Sequence, residues 1–208
     1  MLPKIVLAFD TSAAHCAAAL LLADGTVLAR QEEMAKGQAE RLMPLLEELL
    51  AEAGLTWADL SALGVGTGPG NFTGVRIAVA AARGLALALK IPAIGVTALE
   101  TLAYGLPRPL RVIEDARRSM VYVQDFFADH AEPARLAALE ELEAFEGAET
   151  GSAAKAPLPA AMGFAEALVR LAAARLAQEP NPPRPAPFYL RGADAAPPSD
   201  PPPVILDA

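Results

Sequence analysis

Short apolar runs closed by turn-forming residues alternate along this chain with longer segments of helical period. Lys4-Ile5-Val6-Leu7-Ala8-Phe9 is such a run, stopped by Asp10-Thr11-Ser12, and it predicts a buried strand. Residues 16–22 predict a second strand, Asp24-Gly25 a hairpin turn, and residues 26–31 the returning strand. From 38 to 53, Leu42, Met43, Leu45, Leu46, Leu49 and Leu50 recur at helical spacing, and Gly54 stops the helix. Asp59 reads as the cap of a short turn before a strand over 62–66. A glycine-rich loop leads into a helix over 74–89, then a strand over 91–96. Further on, strands over 110–114 and 120–127 pair across the turn Asp115-Ala116-Arg117-Arg118-Ser119. Residues 133–146 and 164–178 read as helices joined by a weakly patterned Ala/Gly/Ser-rich connection. Prolines crowd the chain from Glu179 onward, with Phe188-Tyr189-Leu190 the regular piece expected among them.

Three consecutive strands followed by alternating helices and strands predict a mixed sheet covered by helices, the order of a ribonuclease-H-like half-domain. The expected organisation is an N-terminal lobe over 1–105, a reduced C-terminal lobe over 106–191 and a Pro-rich tail over 192–208. Apolar residues make up 53% of the chain but aromatics only 5%, so the core should be helix-rich and finely packed. The net charge of −8 repels phosphate backbones, which makes this chain a poor stand-alone binder of nucleic acid. RNA, if the pathway involves it, is then contacted mainly through a partner. The lone Cys16 has no intrachain disulfide partner, which fits a reducing cytoplasm. The apolar start is too short for a signal peptide, and no uninterrupted apolar run reaches membrane-spanning length.

The densest chemical signal is Gly64-Val65-Gly66-Thr67-Gly68-Pro69-Gly70-Asn71-Phe72-Thr73-Gly74-Val75-Arg76-Ile77, which ends a strand and opens a helix. It is neither a Walker A motif nor a Rossmann fingerprint. It reads as a structural turn or as an anion site made of backbone N–H groups at a helix N-terminus, with Arg76 as a phosphate or carboxylate partner. Asp10, Thr11 and Ser12 read either as a side-chain-stabilised turn or as metal and phosphate contacts. His15 and His130 lack companions at metal-ligand spacing, and no nucleophile elbow is present. The leucine-rich helix at 38–53 carries apolar residues around much of its circumference, which points to a second buried surface against another chain.

Taken together, Leu7-Ala8-Phe9-Asp10-Thr11-Ser12, residues 37–46, Gly66 through Ile77, Gly95-Val96-Thr97-Ala98-Leu99-Glu100, Asp115-Ala116-Arg117 and Pro187-Phe188-Tyr189-Leu190-Arg191 resemble the TsaB family in this order. The resemblance covers residues 4–125 and the late signature. It departs from the usual family pattern at Gln38, Asn71 and Ala78, commonly His, Ser and Gly. It implies an actin/Hsp70-like ATPase fold and a role in forming N6-threonylcarbamoyladenosine at position 37 of tRNAs reading codons that start with A. It also implies a homodimer when alone, a complex with the catalytic paralogue TsaD, and the ATPase TsaE as a further partner. The paralogue binds its catalytic metal through two histidines four residues apart, after the strand that follows the glycine loop. Ala98 and Leu102 stand at those positions here. The expectation is therefore a non-catalytic cytoplasmic subunit with no metal and no required cofactor. ATP or ADP would sit at the partner interface, near Asp10, Thr11, Ser12, Gly68, Gly70, Thr73 and Arg76. Leu42, Leu46, Leu49, Ile77 and Ala81 would face the partner. The alternative is a nucleotide-binding ATPase or phosphotransferase using Asp10 and the glycine loop.

Overall fold

The computed structural model describes residues 4–191, so the Pro-rich tail expected over 192–208 lies outside the described residues. The first sheet is built from β1 (Val6–Asp10), β2 (His15–Leu21), β3 (Val27–Glu33), β4 (Ala62–Gly66) and β5 (Ala93–Val96) in the order β3-β2-β1-β4-β5. β1, β2 and β3 form an antiparallel meander, whereas β1–β4 and β4–β5 are parallel. Parallel neighbours need crossovers, and α1 (Gln38–Glu52) and α2 (Phe72–Leu89) supply them.

Side chains alternate across a strand, so β1 feeds two cores. Leu7 and Phe9 point to the face covered by α1 and α2, where Leu42, Leu45, Leu46, Leu49, Leu50, Val75, Val79 and Ala82 are buried. Val6 and Ala8 point to the other face, covered by α4 (Phe164–Gln178) through Ala165, Leu168, Val169, Ala172 and Leu176. Alanines and Gly64 on that face let α4 come close: a Cβ on Gly64 would lie 2.7 Å from the Ala172 methyl. Residues 164–178, which follow the second sheet in the chain, thus belong to the layers of the first. Arg175 fixes the docking, donating to Gly95 O at 2.5 Å and pairing with Glu100.

The second sheet, of order β8-β7-β6-β9, contains β6 (Leu110–Asp115), β7 (Met120–Phe126), β8 (Arg135–Ala138) and β9 (Ala148–Thr150). Short α3 (Ala98–Ala103) covers one face through Leu99 and Ala103. The helix expected over 133–146 is instead β8 followed by a 3-10 turn at Leu139–Glu141. The free edge of β7 takes up Arg135–Ala138 as an antiparallel partner, and this tertiary pairing overrides the helix propensity of an Ala/Leu/Glu-rich sequence. Arg111 and Asp125 form a buried bidentate pair at 2.6 and 2.7 Å, and Arg111 also donates to Glu143 O, pinning the strand-free segment that follows. Residues 188–190, expected to be regular, form no strand.

Asp59 caps its 3-10 turn at Trp57–Asp59 from the third helical position: Thr56 is the N-cap residue, and the Asp59 carboxylate closes the capping box by accepting from Thr56 N at 2.7 Å. α2 is, among the described helices, the one long and apolar enough to cross a membrane, yet Val75, Ala78, Val79 and Ala82 are buried against the sheet. Cys16 is fully buried on β2, and burial, followed by the Glu32 charge, pushes its thiol up to about 11. Iodoacetamide at about pH 8, just below the ordinary thiol pKa, should leave the folded chain unlabelled and label the denatured chain fully by mass spectrometry.

Candidate functional site

Asp10 closes β1, and Thr11 and Ser12 turn the chain toward β2. All three are buried. Asp10 Oδ1 accepts from Ser12 N and from Ser12 Oγ, each at 2.9 Å, and His15 Nε2 lies 2.8 Å from the same oxygen. The Phe164 ring, 5.4 Å from the imidazole, packs beside it. Asp10 Oδ2 is buried without a hydrogen-bond partner among the described residues. It faces Gly66, where a Cβ would come within 1.8 Å of it. Ser12 and His15 meet at one carboxylate oxygen, an arrangement that positions a turn and is not a nucleophile–base relay.

The glycine loop lies directly on this hairpin. Asn71 N donates to Ser12 O at 2.6 Å, and Thr11 Oγ1 donates to Gly74 O at 2.7 Å. A Cβ at Gly74 would sit 1.9 Å from Thr11 O, and one at Gly70 would sit 2.4 Å from Ser12 O. Glycine is therefore required by close approach of two backbones. Asn71 is the N-cap of α2, its Oδ1 accepting from Thr73 N at 3.0 Å and Gly74 N at 3.1 Å. Gly68 is buried with φ +87°, and its carbonyl accepts from Ala98 N at 2.8 Å.

Several of the groups expected near a phosphate are thus engaged within the chain. The hydroxyls of Thr11 and Ser12 and the N–H groups of Thr73 and Gly74 all have internal partners. Gly70, Thr73 and Arg76 remain exposed. Arg76 lies over Phe72, its Cζ 3.8 Å from the ring centroid, and its Nε donates to Tyr189 Oη at 3.0 Å.

Leu42, Leu46 and Leu49, expected at a partner interface, are at most 2% exposed and belong to this chain's own core. With Leu45 and Leu50 they form one stripe at i, i+3, i+4, i+7 and i+8, the width that a single sheet face covers. Ile77 and Ala81 are half-buried on α2. The outward stripe of that helix is Thr73, Ile77, Ala80, Gly84 and Leu87, with Leu87 78% exposed.

After β5, Thr97 and Glu100 form a capping box: Thr97 Oγ1 accepts from Glu100 N, and the Glu100 carboxylate accepts from Thr97 N at 2.9 Å. The Thr-x-x-Glu spacing announces α3, which the apolar periodicity alone did not reveal. Ala98 and Leu102 stand on α3 one turn apart and carry hydrocarbon side chains. They do not fit a metal held as in the paralogue. Among the described residues no group of three His, Cys, Asp or Glu is placed to hold a metal ion. The structure keeps His15 and His130 apart, the latter exposed beside Asp129 beyond β7. Asn71 and Tyr189 are the site residues that sequence reasoning missed. Asn71 carried a signal as a preferred N-cap residue, whereas the position of Tyr189 depends on long-range packing.

The sheet order, its helical layers and the hairpin–loop seam define an α/β protein of the actin-like fold. Residues 28–178 match the family model described as "TsaD: tRNA N6-adenosine threonylcarbamoyltransferase". The chain is 40% identical over 129 residues to the Escherichia coli tRNA threonylcarbamoyladenosine biosynthesis protein TsaB, covering 60% of this chain and 55% of that one. It is 41% identical to the Bacillus subtilis protein of the same description, covering 56% and 52%. The chain thus spans about half the length of these curated relatives. YeaZ from Pseudomonas aeruginosa superposes with a TM-score of 0.74 at 29% identity, covering 90% of this chain and all of that one. The chain belongs to the TsaD family and, within it, to the TsaB proteins.

Proposed function

We propose that this chain is a non-catalytic supporting subunit in the formation of N6-threonylcarbamoyladenosine at position 37 of tRNA, and that it binds a TsaD homologue through the outer face of α2. The names of its relatives support the pathway. The observation that carries the supporting role is the pair Ala98 and Leu102, which present no lone pair where the paralogue holds its metal. The internal bonds of the Thr11 and Ser12 hydroxyls and of the Thr73 N–H support the same reading. Any adenine nucleotide is then held at the partner interface, near exposed Gly70 and Thr73.

The docking face follows from α2. Thr73, Ile77, Ala80, Gly84 and Leu87 share one stripe opposite the buried Val75, Val79 and Ala82. Small residues at Ala80 and Gly84 let a facing helix approach closely, and Leu87 adds apolar area worth about 25 cal/mol per Å² when covered. In the absence of the TsaD homologue, a second copy of this chain occupies the face. A TsaE homologue joins the assembled pair in the cytoplasm.

Leu87→Glu tests the docking. Co-purification of the tagged variant with the TsaD homologue should fail while its melting curve stays that of the parent. Retention of the complex by the folded variant would remove this face from the account.

A further inference from the structure

On an acidic chain, one edge concentrates arginines and exposed aromatics. The last described segment runs as a strap from the glycine loop to the β6–β7 turn. Phe188 N donates to Thr67 O at 2.8 Å, and Arg191 Nη1 donates to Ala116 O at 2.7 Å. Between these anchors Tyr189 stacks on Phe72 at 5.1 Å, and Arg76 covers the Phe72 ring while bonding the tyrosine hydroxyl. Phe72 and Tyr189 stay 40% and 43% exposed despite this packing. Where Arg191 lands, Arg117 and Arg118 stand exposed, and Arg117, Arg118 and Ser119 are held in succession at φ 63°, 54° and 59°. Among the described residues, Asp115 accepts from Arg117 N, and Glu114 accepts from Ser152 N.

We propose that Phe72, Arg76, Tyr189, Arg191 and the Arg117 turn form a contact site for the unstacked loop of an RNA, the loop of the tRNA being modified. The proposal rests on the pathway reading above and adds a direct RNA contact to it. A guanidinium group both pairs with phosphate through two parallel N–H bonds and lies flat on rings and bases, a combination that a lysine ammonium does not offer. Exposed aromatics offer stacking surfaces that single-stranded bases use and duplexes cannot reach. The charge of −8 on the whole chain opposes a long duplex footprint, so a patch of this size suits a few loop nucleotides. An acidic protein segment would satisfy the arginines but leave the aromatic faces unused.

The test is fluorescence anisotropy of the full chain, without partners, titrated into a labelled anticodon stem-loop RNA. A blunt RNA duplex and polyglutamate serve as competitors. Tyr189→Ala should weaken binding about tenfold, the loss of one base–aromatic stack. Tyr189→Phe, which keeps the ring, should retain binding. Arg117→Asn, chosen because asparagine tolerates a left-handed backbone, should lower the salt slope by about 0.7, the value for one single-strand phosphate. Thermal melts establish that each variant is folded. The titration contains no TsaD homologue, so its outcome is read independently of co-purification through the docking face. Absence of stem-loop binding up to roughly 100 µM, the weak end of non-specific affinity, would overturn the proposal. So would stem-loop binding that neither Tyr189→Ala nor Arg117→Asn weakens in folded protein, or more effective competition by the duplex or polyglutamate.

Discussion

Gly74→Ala should lower the melting temperature by roughly 5–10 °C, even though alanine is the better helix former. The added Cβ would lie 1.9 Å from Thr11 O and 2.9 Å from Thr11 C, both backbone atoms of the β1–β2 hairpin. Relief requires the first turn of α2 to move off the hairpin. That movement breaks the bond from Thr11 Oγ1 to Gly74 O and the one from Asn71 N to Ser12 O. Two hydrogen bonds at about 1 kcal/mol each and overpacking of about 1–3 kcal/mol oppose a propensity gain of about 1 kcal/mol, leaving a net loss of about 2–4 kcal/mol. Calorimetry of the purified variant checks the value. An unchanged melting temperature would mean that loop and hairpin are not a structural seam.

Leu46→Glu should abolish folding, whereas Leu87→Glu should not affect it. Leu46 is fully buried beneath the first sheet among Phe9, Leu42, Leu49 and Leu63. A carboxylate placed there has no cationic partner, and an uncompensated buried charge costs about 3–5 kcal/mol on top of the lost packing of about 2–5 kcal/mol. Against a typical total stability of about 5–15 kcal/mol, the variant should appear in the insoluble fraction and show no cooperative transition. Leu87 is 78% exposed, and surface changes of this kind stay within about 0.5 kcal/mol. Solubility and circular dichroism of the two variants side by side separate core from docking surface. A folded Leu46→Glu would contradict the packing of α1.

α1, α2 and α4 were legible because one apolar stripe at helical period is what a sheet face demands of its covering helix. β1, β4 and β5 were legible as short apolar runs between turn residues. What the sequence hid was where each stripe points. The leucines of α1 serve the inner face of this chain, and the pattern alone does not distinguish that from a partner's surface. β8 and β9 were hidden because they owe their strand state to the edges of β7 and β6, not to their own composition. The glycine loop was legible as a loop, but its occupant was not. Its close neighbour is the Thr11–Ser12 backbone, brought in by the parallel pairing of β1 with β4. The cluster of Phe72, Arg76 and Tyr189 joins positions far apart in the chain and was visible only in the fold.

The supporting role is tested most directly by reconstituting tRNA modification from purified components and measuring threonylcarbamoyladenosine in digested tRNA by mass spectrometry. With the TsaD and TsaE homologues, threonylcarbamoyl-adenylate and ATP, product should form when this chain is added. It should fall to background when the chain is omitted or replaced by Leu87→Glu, and none should form with this chain in place of the TsaD homologue. Full product formation without this chain, or product from this chain in the absence of the TsaD homologue, would contradict a non-catalytic supporting subunit.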